Sequence, residues 1–227
     1  MIEHVCRRAA RARGVDAVVV ATDDERIADA VRRFGGVARM TDADHRTGTD
    51  RIAEVARSLP CEIVVNVQGD EPLIEPEMIA QVISPFDDPA VRMTTLRRAI
   101  SDPADVTNPH VVKVVVDLNG DALYFSRAPI PLPRAGRTGP VAEDPPAPAR
   151  AYRHAGIYGY RREFLLHFAT LPQTPLEVAE SLEQLRALEH GVRIRTLDTS
   201  FDSVGVDTPE DLARVRAALG GVAAARA

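Results

Sequence analysis

The chain has 227 residues, 45% hydrophobic and 27% charged, the make-up of a packed globular protein and not of a disordered chain or a disulfide-stapled miniprotein. With 28 basic against 33 acidic residues the net charge is -5 and the isoelectric point is near 5.7. No overall field therefore draws it onto nucleic acid or an anionic membrane, and an anionic ligand needs a local site.

Residues 1–14 are Arg-rich, yet they include Glu3 and lack the apolar core of a secretory signal, so they read as mature sequence. Cys6 and Cys61 have no CxxC spacing, which suits a reducing, cytoplasmic setting. The apolar run 17–21 is far shorter than the roughly 20 residues that cross a bilayer. That run, with 63–67 and 111–116, is short and β-branched, the pattern of strands covered on both faces in a parallel sheet. Between the first two, residues 24–34 set Ile27, Ala30, Val31 and Phe34 at helical spacing, and 49–59 repeat this with Ile52, Val55, Ala56 and Leu59. Strand and helix thus alternate, as in an α/β fold.

Residues 122–126 and 156–160 read as strands around a Pro/Gly-broken stretch, 129–149, expected as a mobile loop on the sheet's rim. Residues 176–190 align Val178, Leu182, Leu185 and Leu188 along one helix that stops at Gly191. A last helix is predicted after Thr208 as N-cap, with Pro209 at the first position and Asp211 in a variant capping box. The closing residues, 220–227, read as a frayed tail. No repeat divides the chain, so 1–227 is read as a single domain.

NVQGDEP (66–72) follows directly on a strand, and ligands of open α/β sheets collect at the carboxyl ends of strands. That favours Asp70 as a working carboxylate, with Gln68 on the same side as an amide donor; the competing reading is a turn in which Asp70 bonds nearby amides. Asp207, just before the last helix, is a second carboxylate that can equally serve the helix end. Two carboxylates and a polyphosphate form the oxygen shell preferred by Mg²⁺.

Residues 41–51, TDADHRTGTDR, stand ahead of a helix whose amides can meet an anion, and the alternative is a polar loop capped by Thr47 or Thr49 with His45 in solvent. His154 and Tyr158 share one face of a strand, either as a ligand wall or as packing. Glu183 and Gln184 read as the solvated face of their helix. Arg127 and Arg134 flank the Pro-rich stretch, where a guanidinium can clamp a carboxylate or simply pair at the surface. No P-loop, GxGxxG, HExxH or nucleophile triad is present. Residue chemistry alone reaches an anion-handling α/β enzyme with Mg²⁺ as a candidate cofactor.

VVVATDDERIADAV, MTDADHRTGTDRIAEV, IVVNVQGDEPLI, NPHVVKVVVD, ALYFSRAPIP, RHAGIYGYRREFL, PLEVAESLEQLRALEHG and VGVDTPEDL occur in that order over nearly the whole chain. In this the sequence resembles the 3-deoxy-manno-octulosonate (Kdo) cytidylyltransferases of lipopolysaccharide synthesis. The resemblance implies a doubly wound, mostly parallel sheet of the nucleotide-diphospho-sugar transferase type. It implies transfer of CMP from CTP to the anomeric hydroxyl of Kdo, with pyrophosphate released, by a cytoplasmic homodimer that pairs through 121–160 and has no nucleic-acid or membrane partner. Asp70 and Asp207 match the family's Mg²⁺ ligands, and Arg134 joins them as catalytic. Gln68, Arg127, His154, Tyr158, Glu183 and Gln184 match the surroundings of the sugar acid, and His45, Gly48, Thr49, Asp50 and Arg51 those of the cytidine.

Family members open with a strand and a PARxxSxRLPxKPL loop that grips the triphosphate, whereas Met1 to Val5 match the helix after it. Roughly 25 residues, including a central strand of the sheet, are accordingly expected upstream in the cellular protein. A cytidylyltransferase for another sugar acid and a truncated, non-catalytic assembly subunit are the competing expectations.

Overall fold

Short β-branched runs and amphipathic segments alternate as expected, and the computed structural model describes residues 1–132, 151–202, 205–206 and 208–224. Helix α1 (Ile2–Ala9) is followed by β1 (Val19–Thr22), α2 (Glu25–Arg33), β2 (Val37–Met40), α3 (Gly48–Arg57) and β3 (Ile63–Asn66). Next come α4 (Pro76–Ile83), a 3-10 turn (Ser84–Asp87), β4 (Met93–Ala99), α5 (Pro103–Thr107), β5 (Lys113–Val116) and β6 (Ala122–Ser126). The chain continues with β7 (Tyr152–Arg161), α6 (Arg162–Phe168), α7 (Pro175–Glu180), α8 (Gln184–Glu189), β8 (Ile194–Asp198) and α9 (Pro209–Ala224). Short polar side chains start the helices: Asp24, Thr47 and Asp102 accept the N–H groups of Arg26, Asp50 and Ala104. Thr208 and Asp211 form the expected reciprocal cap, at 2.9 and 3.2 Å.

β1 and β2 pair in parallel as a two-stranded sheet. The six-stranded sheet runs β6-β5-β7-β4-β8, with β3 also on β7. β8 joins β4 in parallel, whereas β7 lies antiparallel to β3, β4 and β5. The three apolar runs therefore do not neighbour one another. One edge of β7 is taken by β4, and its other edge is shared, by β5 at Tyr152 and Arg153 and by β3 from Tyr158 to Arg161. Between these two partners β7 bulges: one step on β4, Thr95 to Leu96, is opposed by three on β7, Tyr158 to Ala155.

Helices cover both faces of this sheet. Ala53 and Ala56 of α3, Phe164 and Phe168 of α6 and Leu185 of α8 pack on Met93, Phe125 and Tyr160. Val5 and Ala9 of α1 and Met78, Ile79 and Val82 of α4 pack on Leu96 and Ile157 on the other face. Each such burial stabilises by about 1.5–3 kcal/mol for a large aliphatic or aromatic side chain. Gly159 permits the closest approach, because a Cβ there would stand 2.8 Å from Phe86 and 2.9 Å from the Val82 carbonyl oxygen.

Several expectations are corrected. The predicted helix over 176–190 is two short helices, because Ser181 adopts φ 52° and ψ 49°, the left-handed conformation that ends α7. Val178 consequently leaves the inward stripe and is 62% exposed, while Leu182 and Leu185 stay buried. In α2 the buried residues are Ala28 and Val31, and Ile27 is exposed. β1 and β3 are half-buried along most of their length, although Val64 and Val65 of β3 pack against the clusters on opposite faces. The tail expected from residue 220 is helical to Ala224. The loop expected over 129–149 lies outside the described residues from 133 onward.

Candidate active site

The carboxyl end of β3 turns through Gly69 and Asp70, where the Glu71 N–H donates to the Gln68 carbonyl at 3.3 Å. Asp70 is half-buried, and among the described residues its carboxylate accepts neither a hydrogen bond nor an ion pair. This removes the reading in which it merely caps its own turn. Its backbone carbonyl accepts the Val206 N–H at 3.0 Å, which ties the segment just ahead of α9 to the β3 turn. Asp207 and Arg134 lie outside the described residues. Gln68 is exposed on the same turn.

Beside it, β7 forms an aromatic wall. The ring of His154 stands 5.0 Å from Phe125 and 5.3 Å from Tyr158, centroid to centroid. Its Nε2 lies 2.9 Å from Thr95 Oγ1, a fully buried hydroxyl of β4 that also reaches the Ile157 carbonyl at 2.8 Å. Burial pushes His154 down to about 3, so the imidazole is neutral at physiological pH, and pushes the Tyr158 hydroxyl up. Side chains four apart share one face of a strand, and the bulge between them keeps that parity. A cavity of about 60 Å³ lies on the Ala155 and Phe201 side of β7, lined also by Glu71 next to Asp70 and by Arg98, Arg153 and Asp202. Asp202 pairs with Arg98 at 2.8 Å and Arg153 at 3.2 Å, anchoring the segment that leads to Val206.

The break at Ser181 turns the other predicted sugar-acid residues inward, against the expectation of a solvated face. Gln184 is 5% exposed. Glu183 Oε2 accepts from the Thr49 hydroxyl at 2.5 Å; burial raises its pKa, opposed by the hydroxyls of Thr49 and Thr47 and by Arg186. Glu183 Oε1 and Gln184 Nε2 are buried without a hydrogen-bond partner among the described residues. Orphaned buried polar atoms cost about 1–3 kcal/mol each unless a ligand or water meets them. Because Thr49 starts α3, the same contact joins this pair to the 41–51 loop.

In that loop, Thr47 caps α3 through the Asp50 N–H and Gly48 opens the helix. His45 is not solvated: its Nε2 lies 2.5 Å from Glu54, whose carboxylate also accepts the Asp42 N–H and is thereby held below its usual range. Arg51 donates to Thr41 and pairs with Asp23 at the end of β1. Arg127 directly follows β6, its Nε on the Glu180 carbonyl and its Nη1 on that of Pro109. Thr95 and Asp202 join the site with no local sequence signature, and Glu71 follows Asp70 in the NVQGDEP turn. Thr95 was accessible only through the pairing register of β4, a strand whose polar residues hide it from an apolar-run search.

A family model described as Cytidylyltransferase matches residues 1–194. The 3-deoxy-manno-octulosonate cytidylyltransferase of Geobacter sulfurreducens is 57% identical over 95% of this chain and 87% of that protein. That of Solibacter usitatus is 51% identical over 95% and 82%. Among solved structures, a CMP:2-keto-3-deoxy-manno-octonic acid synthetase complexed with CTP aligns at TM-score 0.87 and 44% identity, over 97% of this chain and 87% of that one. A 4-diphosphocytidyl-2C-methyl-D-erythritol synthase from Anaerococcus prevotii, 13% identical at TM-score 0.60 over 96% and 88%, shares the fold alone. The mixed α/β architecture is that of the nucleotide-diphospho-sugar transferases.

Proposed function

The chain belongs to the 3-deoxy-manno-octulosonate cytidylyltransferase family, and from that premise we propose that its residues transfer CMP from CTP to the anomeric hydroxyl of Kdo, releasing pyrophosphate. The observation that carries the reading is the bond from the Val206 N–H to the Asp70 carbonyl. It supports one rim at which Asp70 and Asp207, remote in sequence, serve the same phosphates.

The chemistry of Asp70 fits a hard cation. A half-buried carboxylate with no partner among the described residues offers free oxygen donors. No cluster of three His, Cys, Asp or Glu side chains is found among those residues, and none is needed where phosphate oxygens complete the shell. Asp70 and Asp207 would hold Mg²⁺, which supplies neutralisation of the charge that builds on the phosphates.

The rest of the work is positioning. Gln184 Nε2 donates to an oxygen of the sugar acid and Glu183 Oε1 accepts from one of its hydroxyls, which satisfies both orphaned atoms. Neutral His154 and the un-ionised Tyr158 hydroxyl bind polar groups of Kdo without adding charge beside its carboxylate. Gln68, Arg127 and Arg134 complete that wall, with Arg134 beside the reacting phosphate. The loop carrying His45, Gly48, Thr49, Asp50 and Arg51 borders the cytidine, and the Thr49–Glu183 contact holds it against the sugar side.

The reading includes a homodimer built on 121–160: Leu123 within it is 61% exposed and Leu118, just ahead of it in the β5–β6 hairpin, is 89% exposed, an apolar surface of the kind that partners cover. It also places the enzyme in the cytoplasm, where Cys6 and Cys61 remain free thiols; no described helix is long and apolar enough to cross a membrane. The test is Kdo-dependent pyrophosphate release from CTP with and without Mg²⁺. Release only with Kdo and Mg²⁺ is expected; preference for a nine-carbon sugar acid, or binding without turnover, overturns the reading.

A further inference from the structure

The surroundings of Thr95 decide which nitrogen of His154 carries its proton. Thr95 Oγ1 is fully buried and meets three groups: the Ile157 carbonyl at 2.8 Å, His154 Nε2 at 2.9 Å and the Ala155 carbonyl at 3.2 Å. A hydroxyl has one proton and two lone pairs, and a carbonyl oxygen only accepts. If the hydroxyl donated to Nε2, its oxygen would face two carbonyl oxygens with no proton between them. Donation to Ile157 instead leaves the hydroxyl oxygen free to accept, so Nε2 must bring the hydrogen. The chain of donors then runs from Nε2–H to Oγ1–H to the carbonyl.

We propose that Thr95 is a positioning residue that locks His154 in the Nε2–H tautomer, so that Nδ1 presents an unprotonated lone pair to a hydroxyl of the bound sugar acid. Nδ1 has no hydrogen-bond partner among the described residues, and the ring stands 5.3 Å from that of Tyr158, whose hydroxyl in turn feels the Glu183 charge. The β7 bulge has a purpose in this scheme. By placing Ala155, Gly156 and Ile157 against a single step of β4, it brings two carbonyls of one strand onto one hydroxyl. Neither the tautomer nor its cause depends on what the protein does, whereas the role of Nδ1 rests on the proposed sugar-acid site.

The experiment is two-part. Nitrogen NMR of the histidine-labelled protein is expected to show a pyrrole-type Nε2 and a pyridine-type Nδ1 for His154, assigned by its loss in His154→Gln. Thr95→Val, nearly the same shape, is expected to abolish that signature and to raise the KM for Kdo about tenfold, one hydrogen bond's worth, with the KM for CTP unchanged. Thr95→Ser retains the hydroxyl and is expected to behave as wild type on both counts. A protonated Nδ1 in the wild type, or an unchanged signature in Thr95→Val, overturns the assignment; if Thr95→Val does not fold, the wild-type and Thr95→Ser spectra decide it. If the tautomer responds but neither Thr95→Val nor His154→Gln alters the KM for Kdo, the tautomer stands and the Nδ1 role falls with the sugar-acid site.

Discussion

Replacing Glu177 with alanine is expected to destabilise the fold by about 3–5 kcal/mol, the cost of leaving one member of a buried ion pair without its partner. The pair is Glu177 and Arg186, whose side chains are each 5% exposed. Arg186 Nε donates to Oε2 at 2.8 Å and Nη2 to Oε1, and the Thr174 N–H adds a third bond to Oε2 at 3.2 Å. Burial alone would raise the Glu177 pKa, but Arg186 and the Thr174 amide more than offset it and the net shift is downward. In the alanine variant the guanidinium keeps the Leu171 carbonyl at 3.3 Å, the face of Phe168 and a looser pairing with Glu183, Nη2 to Oε1 at 4.0 Å. For a chain of this size the loss corresponds to about 6–20 °C in Tm, read by circular dichroism or calorimetry. The sign with pH follows from the lowered pKa: the contribution is present above the unfolded carboxyl's value, near 4.5, and fades as pH drops below it. The gap between wild type and variant should therefore narrow in acid. Glu177→Leu with Arg186→Met should recover most of the stability, since a well-packed apolar pair replaces a desolvated ionic one. A single-variant loss under about 1 kcal/mol at pH 7 would refute this account, because it falls within the range of exposed pairs.

Asp70→Asn should abolish turnover while leaving Tm within about 1 °C, because its carboxylate has no partner among the described residues to lose; near-wild-type rates would contradict its role. Gly159→Ala should cost about 1–3 kcal/mol by overpacking, since the new methyl would meet Thr94 Oγ1 at 2.5 Å as well as Phe86 and Val82, and an unchanged urea midpoint would show that α4 can withdraw. His154 is neutral in the fold, its pKa lowered from 6.5 to about 3, so the unfolded chain binds the extra proton. Stability should then fall as pH drops from about 6.5 towards 3, and His154→Gln should flatten that part of the curve. Leu118→Glu with Leu123→Glu should shift the protein from dimer to monomer in light scattering, and a dimer that persists would move the interface elsewhere.

Elements with an unbroken physical signature were legible. The three apolar β-branched runs became β1, β3 and β5 within two residues, 122–126 became β6, and Asp24, Thr47 and Thr208 cap the helices they precede. β4 was not legible. Five of its seven residues are buried, yet Thr94, Thr95 and Arg97 make it look polar. Each is satisfied by a distant group: Thr94 by the Val82 carbonyl at 2.7 Å, Arg97 by Asp198 at 2.9 Å and the Tyr152 ring at 4.9 Å. Burial of a polar side chain depends on partners that only the tertiary fold supplies, so periodicity of apolar residues cannot find such a strand.

The site divides along the same line. Asp70 could be singled out because a strand end and a turn are both local signals, whereas Glu183 and Gln184 could not, since Val178, Leu182, Leu185 and Leu188 keep helical spacing straight through the break at Ser181. What breaks the helix lies on another element. The Glu180 carboxylate accepts from the Ser126 hydroxyl at 2.6 Å and the Arg127 N–H at 3.0 Å, and its carbonyl accepts from Arg127 Nε at 2.9 Å. These bonds from the end of β6 fasten the last residue of α7, and Ser181 takes the left-handed conformation that a serine adopts at a cost of about 1–2 kcal/mol. Three hydrogen bonds, two of them to a charged carboxylate, more than cover that strain. The turn that follows swings Glu183 under Thr49 and leaves its second oxygen, 4.0 Å from Arg186 Nη2, and the Gln184 amide nitrogen without a hydrogen bond among the described residues. A helix broken against its own periodicity, at the expense of backbone strain and two orphaned polar atoms, is what a folding-only sequence would avoid. Those three costs converge where the sugar acid is proposed to sit, which makes the break itself an argument for a ligand there.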